Sequence, residues 1–230
     1  MPKPTIVAID DEPNILGILK DFLGEEYNII TASSSPEGLA LVFSKKPDLV
    51  LIDNIMPDMS GLDVVRLLRQ AESTLHIPVI MLTALMGVHD RINAFNSGVD
   101  DFISKPFSLD ELKVRIDSKL RRFENKTIKQ KTPTVFGNVS LYPASNDVTV
   151  NETRVHLTQL EYNILELLLT EADHVVSRQK IISQLWKDSQ TDDRILDIHM
   201  ATLRKKLSHF DHKIETVYGQ GYIIRKKMAA

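Results

Sequence analysis

The chain has 230 residues, 43% of them hydrophobic, with no cysteine and a formal net charge of −3. That length exceeds the usual single domain of roughly 100 to 150 residues, and the missing cysteines exclude disulfides, thiolate metal sites and cysteine nucleophiles. No run approaches the roughly 18 apolar residues of a membrane span, and the opening MPKPTIVAIDDE lacks a basic segment followed by an apolar one, so a soluble cytoplasmic protein is expected.

Charge is uneven along the chain. Residues 1–122 carry 13 Lys+Arg against 18 Asp+Glu, net −5, whereas residues 123–230 carry 15 against 13, net +2. The second part is only mildly basic, so its overall charge points weakly to nucleic acid and the placement of its cations matters more.

The first part alternates short apolar runs with amphipathic stretches: TIVAI then Pro13 to Leu23, YNIITA then Pro36 to Ser44, and DLVLI then Gly61 to Gln70. PVIMLT then Val88 to Asn96, and DFIS then Leu109 to Arg122, complete the series. Strand-helix pairs with near-continuous apolar strands predict a parallel sheet covered by helices on both faces. Such sheets bind ligands beyond the carboxyl ends of their strands. Asp10, Asp11, Asp53, Thr83 and Lys105 all fall at predicted strand ends. Three carboxylates in one crevice repel one another unless a cation enters, and an all-oxygen donor set suits Mg²⁺.

The run LVLIDNIMPDMSG ends an apolar strand in Asp53. A buried, unpaired carboxylate is costly. Beside a metal held by neighbouring carboxylates it can instead attack phosphorus as a nucleophile, with Lys105 neutralising a phosphoryl oxygen and Thr83 bonding the product. A lone Asp at a strand end is more often a turn-former or cap; the convergence of five polar strand ends favours chemistry.

FENKTIKQKTP, within residues 123–133, is polar and aperiodic and reads as a linker between a domain at 1–122 and another at 134–230. Val135 to Leu157 reads as short strands broken by Gly137, Pro143 and the Asn146-Asp147 and Asn151-Glu152 turns. Helices follow, the first with a capping-box spacing at Thr158 and Glu161, and a hairpin turning at Gly219 to Gly221 ends the pattern. Small strands, helices and a glycine-turned hairpin predict a winged helix-turn-helix.

At 100° per residue, Leu196, Met200, Leu203 and Leu207 form an inward stripe on the last helix. The opposite face presents Arg194, Ile195, Ile198, Ala201, Thr202 and Lys205, and His199, Arg204 and Lys206 flank the stripe. Apolar groups beside cations suit a DNA major groove, the flanking residues suit phosphates, and a solvated helix face is the bland alternative.

IDDE, LIDNIMPDMSG, MLTA and FISKPF, in that order and spacing, resemble the motifs of a bacterial response-regulator receiver, and the C-terminal half resembles the effector of the OmpR/PhoB subfamily. The resemblance implies a flavodoxin-like, doubly wound, five-stranded parallel α/β receiver followed by an α+β winged-helix effector. It implies that Asp53 is the phosphoacceptor of a sensor histidine kinase, that Asp11 binds Mg²⁺ directly and Asp10 through water, and that the backbone carbonyl of Ile55 completes the ligands. Thr83 and Phe102 are the implied switch pair, and a cis peptide is implied at Lys105-Pro106. Glu12 is a first-turn acid by position, although family members often use it near the metal.

Arg91, Asp100, Asp101, Glu111, Arg115 and Arg122 match residues that make salt bridges across a two-fold receiver dimer in this subfamily; solvated helix faces look similar. The expected partners are double-stranded DNA bound at tandem half-sites, the sensor kinase and a second copy of the chain, with RNA polymerase a further candidate. Two departures stand out: Thr202 and Tyr218 occupy positions that are commonly basic in the subfamily. Backbone contacts through Thr216 and the Arg225 to Lys227 run remain, and fewer cations predict a shallower salt dependence. Two competing readings are a phosphorylation-independent DNA binder with a vestigial receiver, and a Mg²⁺-dependent phosphohydrolase. The second lacks the acid expected two residues after the nucleophile, where Ile55 stands, so only self-directed phosphotransfer and autodephosphorylation are expected.

Overall fold

The computed structural model describes residues 2–84, 94, 97–128, 132–143, 145–186 and 193–226, with the side chains of 121–128, 193–194 and 226 left aside. The chain forms two compact units, Met1–Arg122 and Phe123–Ala230. In the first, β1 (Thr5–Ile9), β2 (Asn28–Ala32), β3 (Leu49–Asp53), β4 (Val79–Thr83) and β5 (Asp101–Ser104) make one parallel sheet in the order β2-β1-β3-β4-β5. This is the flavodoxin-like order, in which the chain reverses direction between β1 and β3.

The apolar runs lack strict alternation because both faces are covered. Val7, Ile9, Val50, Ile52, Val79 and Met81 face one core, closed by Val42 of α2 (Ser35–Lys45) and Val64, Val65 and Leu68 of α3 (Gly61–Gln70). Ile6, Ala8, Leu49, Leu51, Ile80 and Leu82 face the other, closed by Leu16, Leu19 and Leu23 of α1 (Pro13–Leu23) and by Leu112 and Ile116 of α4 (Leu109–Ile128).

Local signals fix where these helices begin. Pro13 occupies the first helical turn of α1, and the hydroxyls of Ser34 and Ser60 accept the backbone N–H of Glu37 and Asp63 at the starts of α2 and α3. One boundary differs from expectation: α4 continues to Ile128, well into the segment read as a linker. Residues 123–128 contain no glycine or proline to stop a helix that is already nucleated, so polarity alone does not end it. The helix expected over Val88 to Asn96 lies almost entirely outside the described residues.

The second unit opens with an antiparallel sheet of β6 (Thr134–Phe136), β7 (Val139–Tyr142), β8 (Asp147–Val150) and β9 (Thr153–Val155). Helices α5 (Gln159–Thr170), α6 (Arg178–Trp186) and α7 (Asp193–Lys206) follow, with β10 (Val176–Ser177), β11 (His212–Val217) and β12 (Gly221–Lys226) in a second antiparallel sheet ordered β10-β12-β11. This is a winged helix. α5 starts with the complete capping box: the Thr158 hydroxyl accepts Glu161 N–H, and the Glu161 carboxylate accepts Thr158 N–H at 2.8 Å. The wing turns through Gly219 at φ 70°, and a Cβ at Gly221 would stand 2.0 Å from the Val176 carbonyl oxygen, so β12 can lie against β10 only with glycine there.

Candidate functional site

Three of the polar strand ends meet at the carboxyl edge of the receiver sheet. Asp10 follows β1 and Asp53 ends β3, the two strands that flank the reversal of strand order. Ligand-capable oxygens of Asp10, Asp11 and Asp53 all lie within 4.8 Å of one another. Lys105, just beyond β5, places Nζ 2.8 Å from Asp10 Oδ2, 3.3 Å from Asp53 Oδ2 and 3.5 Å from Glu12 Oε1. Its backbone N–H donates to the Thr83 carbonyl at 2.8 Å, and the Lys105-Pro106 peptide is cis.

Asp53 is 4% exposed and its Oδ1 accepts the N–H of Asn54 at 2.8 Å. The loop after β3 folds back tightly here, with Gly61 N–H donating to the Asn54 carbonyl at 3.0 Å. A Cβ at Gly61 would meet the Asp53 carbonyl oxygen at 2.2 Å, which explains the glycine that closes LVLIDNIMPDMSG.

A single ammonium is shared by the surrounding carboxylates. Burial raises the Asp53 carboxyl above its ordinary 3.8; the positive charge of Lys105 pulls it back and the negative charge of Asp10 pushes it further up. Burial also opposes the charge on Lys105, but its hydrogen bond to Asp10 and the surrounding carboxylates hold it above 10.5. The donor set is all oxygen and carries more negative charge than Lys105 cancels, which fits a hard divalent cation. Asp10, Asp11, Asp53 and the Ile55 carbonyl are the candidate ligands, Ile55 itself being 56% exposed.

Thr83 ends β4 beside the pocket and is 5% exposed. Phe102 sits on β5, half-buried, packed against the core that contains Val79 and Met81. Its ring is already in contact with that core.

Two acids of the charged cluster around β5 and α4, Asp100 and Asp101, are buried within the chain. Asp100 is buried, ion-paired to Arg69 at 2.7 Å and accepting Val79 N–H at 2.8 Å. It fastens the edge of α3 to the sheet and is not a surface charge. Asp101 is also buried, between Arg115 Nη1 at 3.0 Å and Lys119 Nζ at 3.4 Å, because α4 packs directly over the start of β5. Glu111 remains at the surface and holds Arg115 Nη2 at 2.7 Å. Arg91 and the side chain of Arg122 lie outside the described residues.

On α7 the inward stripe is as expected, with Leu196, Met200, Leu203 and Leu207 all buried. Ile195 and His199, placed by period on or beside the DNA face, are buried too, at 3% and 5% exposure. The covered arc extends around that side because α6 brings Trp186 against α7, its ring centroid 5.9 Å from that of His199. Ala201 and Lys205 are exposed, with Ile198 and Thr202 half-buried, and the Arg194 side chain lies outside the described residues. Arg204 is turned onto the wing, where Nε donates to the Ile214 carbonyl and Nη2 to Thr216 Oγ1, both at 2.8 Å. Lys206 pairs with Glu161 at 2.6 Å. Tyr218, at the wing tip, is 98% exposed.

A cluster that sequence reasoning missed joins these elements. Asp197 Oδ1 accepts Arg178 Nη2 at 2.5 Å and the Tyr222 hydroxyl, while the guanidinium groups of Arg178 and Arg204 lie over the Tyr222 ring at 5.1 and 5.7 Å. Burial opposes ionisation of Asp197, yet its bonds to Arg178 and Tyr222 hold its carboxyl below the ordinary range. The available signal was an acid placed one turn into a helix rich in cations; its partners on α6 and β12 are distant in sequence.

Comparison with known proteins agrees with both halves. Residues 6–117 match the response regulator receiver domain, and residues 152–224 match the family described as transcriptional regulatory protein, C terminal. Response regulator ArlR of Staphylococcus aureus is 34% identical over 224 residues, covering 96% of this chain and 99% of its own. Among solved structures, the Thermotoga maritima OmpR/PhoB homologue DrrB is 26% identical, with a TM-score of 0.50, over 97% of this chain and 99% of that one. A RitR mutant shares the fold at TM-score 0.79 and 22% identity, over 97% and 100%. A receiver with an acidic crevice, a winged helix with its α7 face presented, and a relative matched end to end converge on one conclusion: this chain is a two-component response regulator of the OmpR/PhoB family, a transcriptional regulator with a receiver and a DNA-binding domain.

Proposed function

We propose that this regulator is switched by phosphorylation of Asp53. The observation that carries the reading is the crevice itself: a buried carboxylate at a strand end, within 4.8 Å of two others and 3.3 Å from one lysine ammonium. An Asp53 oxygen forms a bond to the phosphorus of a phosphorylated sensor kinase or small phospho-donor. The bond from phosphorus to the donor breaks, and its electron pair leaves with the donor. Bound Mg²⁺ would supply charge neutralisation at the phosphoryl oxygens. Lys105 supplies a fixed positive charge to one of them, and Thr83 offers its hydroxyl to the new phosphate. Water later attacks the acyl phosphate, releasing inorganic phosphate and restoring the carboxylate. No external substrate is turned over.

The consequence is a population shift. A phosphoryl group adds a charge of about −1.5 to −2 and three acceptors, favouring the arrangement in which Thr83 moves to the phosphate and the Phe102 ring turns further inward. The phosphorylated receivers then pair through the face that carries Glu111 and Arg115, and the paired winged helices engage tandem half-sites on double-stranded DNA. An apolar depression lined by Ile15, Ile18, Leu19, Pro106, Phe107 and Leu109 adjoins Lys105 and supports approach of a protein donor to this edge. Kinase, DNA and RNA polymerase place the work in the cytoplasm, and among the described residues no helix is long and apolar enough to cross a membrane.

The test is fluorescence anisotropy on DNA from the protein's own upstream region, at fixed salt with Mg²⁺, with and without a small phospho-donor. Several-fold tightening in the wild type and none in Asp53→Asn is the expected result. Equal binding under all conditions overturns the switch.

A further inference from the structure

By period Arg194 falls on the exposed face of α7, its side chain outside the described residues; among the described side chains that face is poor in the groups that usually read guanine and rich in methyl groups. Ile198, Ala201, Thr202 and Lys205 lie within about 100° of one another around the helix, opposite the buried Leu196, Met200, Leu203 and Leu207. Thr202 Oγ1 donates to the Ile198 carbonyl at 3.1 Å, so what that side chain offers a partner is chiefly its methyl. The neighbouring cations are engaged within the domain: Arg178 with Asp197, Arg204 with Ile214 and Thr216, and Lys206 with Glu161. Among the described side chains of α7, Lys205 is the exposed cation outside these pairs.

We propose that this helix face reads thymine methyl groups, so that the chain's DNA ligand is a major groove with adjacent A·T pairs rather than a guanine-centred half-site. The inference rests on the DNA-binding assignment and deepens it. In the major groove each A·T pair shows a C5-methyl on thymine, whereas guanine shows two acceptors that suit a free Arg or Lys fork. Ile198, Ala201 and the Thr202 methyl supply apolar contact, and Lys205 supplies one phosphate or base contact at the end of the stripe. Asp197 flanks the same face, and its charge is balanced by Arg178.

The experiment is a selection by the full chain, with Mg²⁺ and phospho-donor, from randomised duplexes copied either with thymidine or with deoxyuridine, which differs only by the methyl. The best thymidine-selected duplex is then remade with deoxyuridine, and both are titrated by anisotropy. Binding is expected to weaken about fourfold for each contacted methyl removed, more than tenfold for two. Thr202→Ser deletes one protein methyl while keeping the hydroxyl; it should weaken binding to the thymidine duplex and shrink the thymidine-to-deoxyuridine ratio by about fourfold. Equal affinity for the two duplexes overturns methyl reading while leaving DNA binding in place. A guanine-centred selected site overturns it as well, and failure to enrich any duplex overturns the DNA-binding assignment beneath it.

Discussion

Each half of the molecule buries a carboxylate, and the two are treated in opposite ways. Glu161, 3% exposed, accepts Thr158 N–H at 2.8 Å and Lys206 Nζ at 2.6 Å, so its charge is answered by a donor and a cation of its own. Asp53, 4% exposed, has Asn54 N–H and a share in a lysine that sits closer to Asp10. A carboxylate that only holds a fold is locally satisfied; one left short of positive charge holds a place for something else. That contrast separates a cap from a reactive site more sharply than burial does.

Asp53→Asn should abolish uptake of a phosphoryl group from a small donor, read as the mass gain of the intact chain, while Glu161→Gln leaves it unchanged. Labelling that survives in Asp53→Asn would remove Asp53 from its role.

Next comes the structural end. Glu161→Ala removes half of the capping box and leaves Thr158 N–H buried without that acceptor, so the C-terminal unit should lose about 2 kcal/mol. The chain's single tryptophan, Trp186, lies buried in that unit and reports its denaturant midpoint by fluorescence. An unchanged midpoint would mean that Glu161 is as dispensable as a surface acid.

The folded Asp53 carboxyl sits above 3.8, so its contribution to stability is favourable below that value and is lost as pH rises through the raised one, above which the charged carboxylate opposes folding. Asp53→Asn should therefore make the receiver more stable than wild type at pH 7 without Mg²⁺, with the advantage shrinking as pH falls through the raised value towards 3.8. Millimolar Mg²⁺ should close the gap at pH 7 by stabilising the wild type more. Circular dichroism during urea unfolding follows both, and a variant less stable than wild type at pH 7 would contradict the raised value.

The smallest effect is the control. Arg66 and Asp63 pair at 2.6 Å with both side chains about half exposed, and Arg66→Ala should shift stability by no more than about 0.5 kcal/mol in the same measurement.

Much of this architecture is written in runs of like residues. Asp10, Asp11, Asp53, Thr83 and Lys105 could be assigned to one sheet edge because a parallel sheet, with its strands buried on both faces, forces every strand to end on the same side. The starts of α1 and α5 were legible because Pro13 and the Thr158-Glu161 box act within a turn of their own position, whereas the caps at Ser34 and Ser60 emerged only with the structure. The end of α4 was harder: residues 123–128 are polar and still helical, because nothing in them breaks a helix.

By itself, then, the sequence determined strand order along the chain, the capping box of α5 and the residues of the acidic crevice, all set by local propensity or by a periodicity that any compact sheet must honour. Only the tertiary structure decided which charges are surface and which are buried. Asp100 and Asp101 read as exposed acids until Arg69, Arg115 and Lys119 are brought onto them, and Ile195 and His199 read as groove-facing until Trp186 covers that side of α7. A helical period gives the direction of a side chain, but what stands in that direction depends on elements far away in the chain.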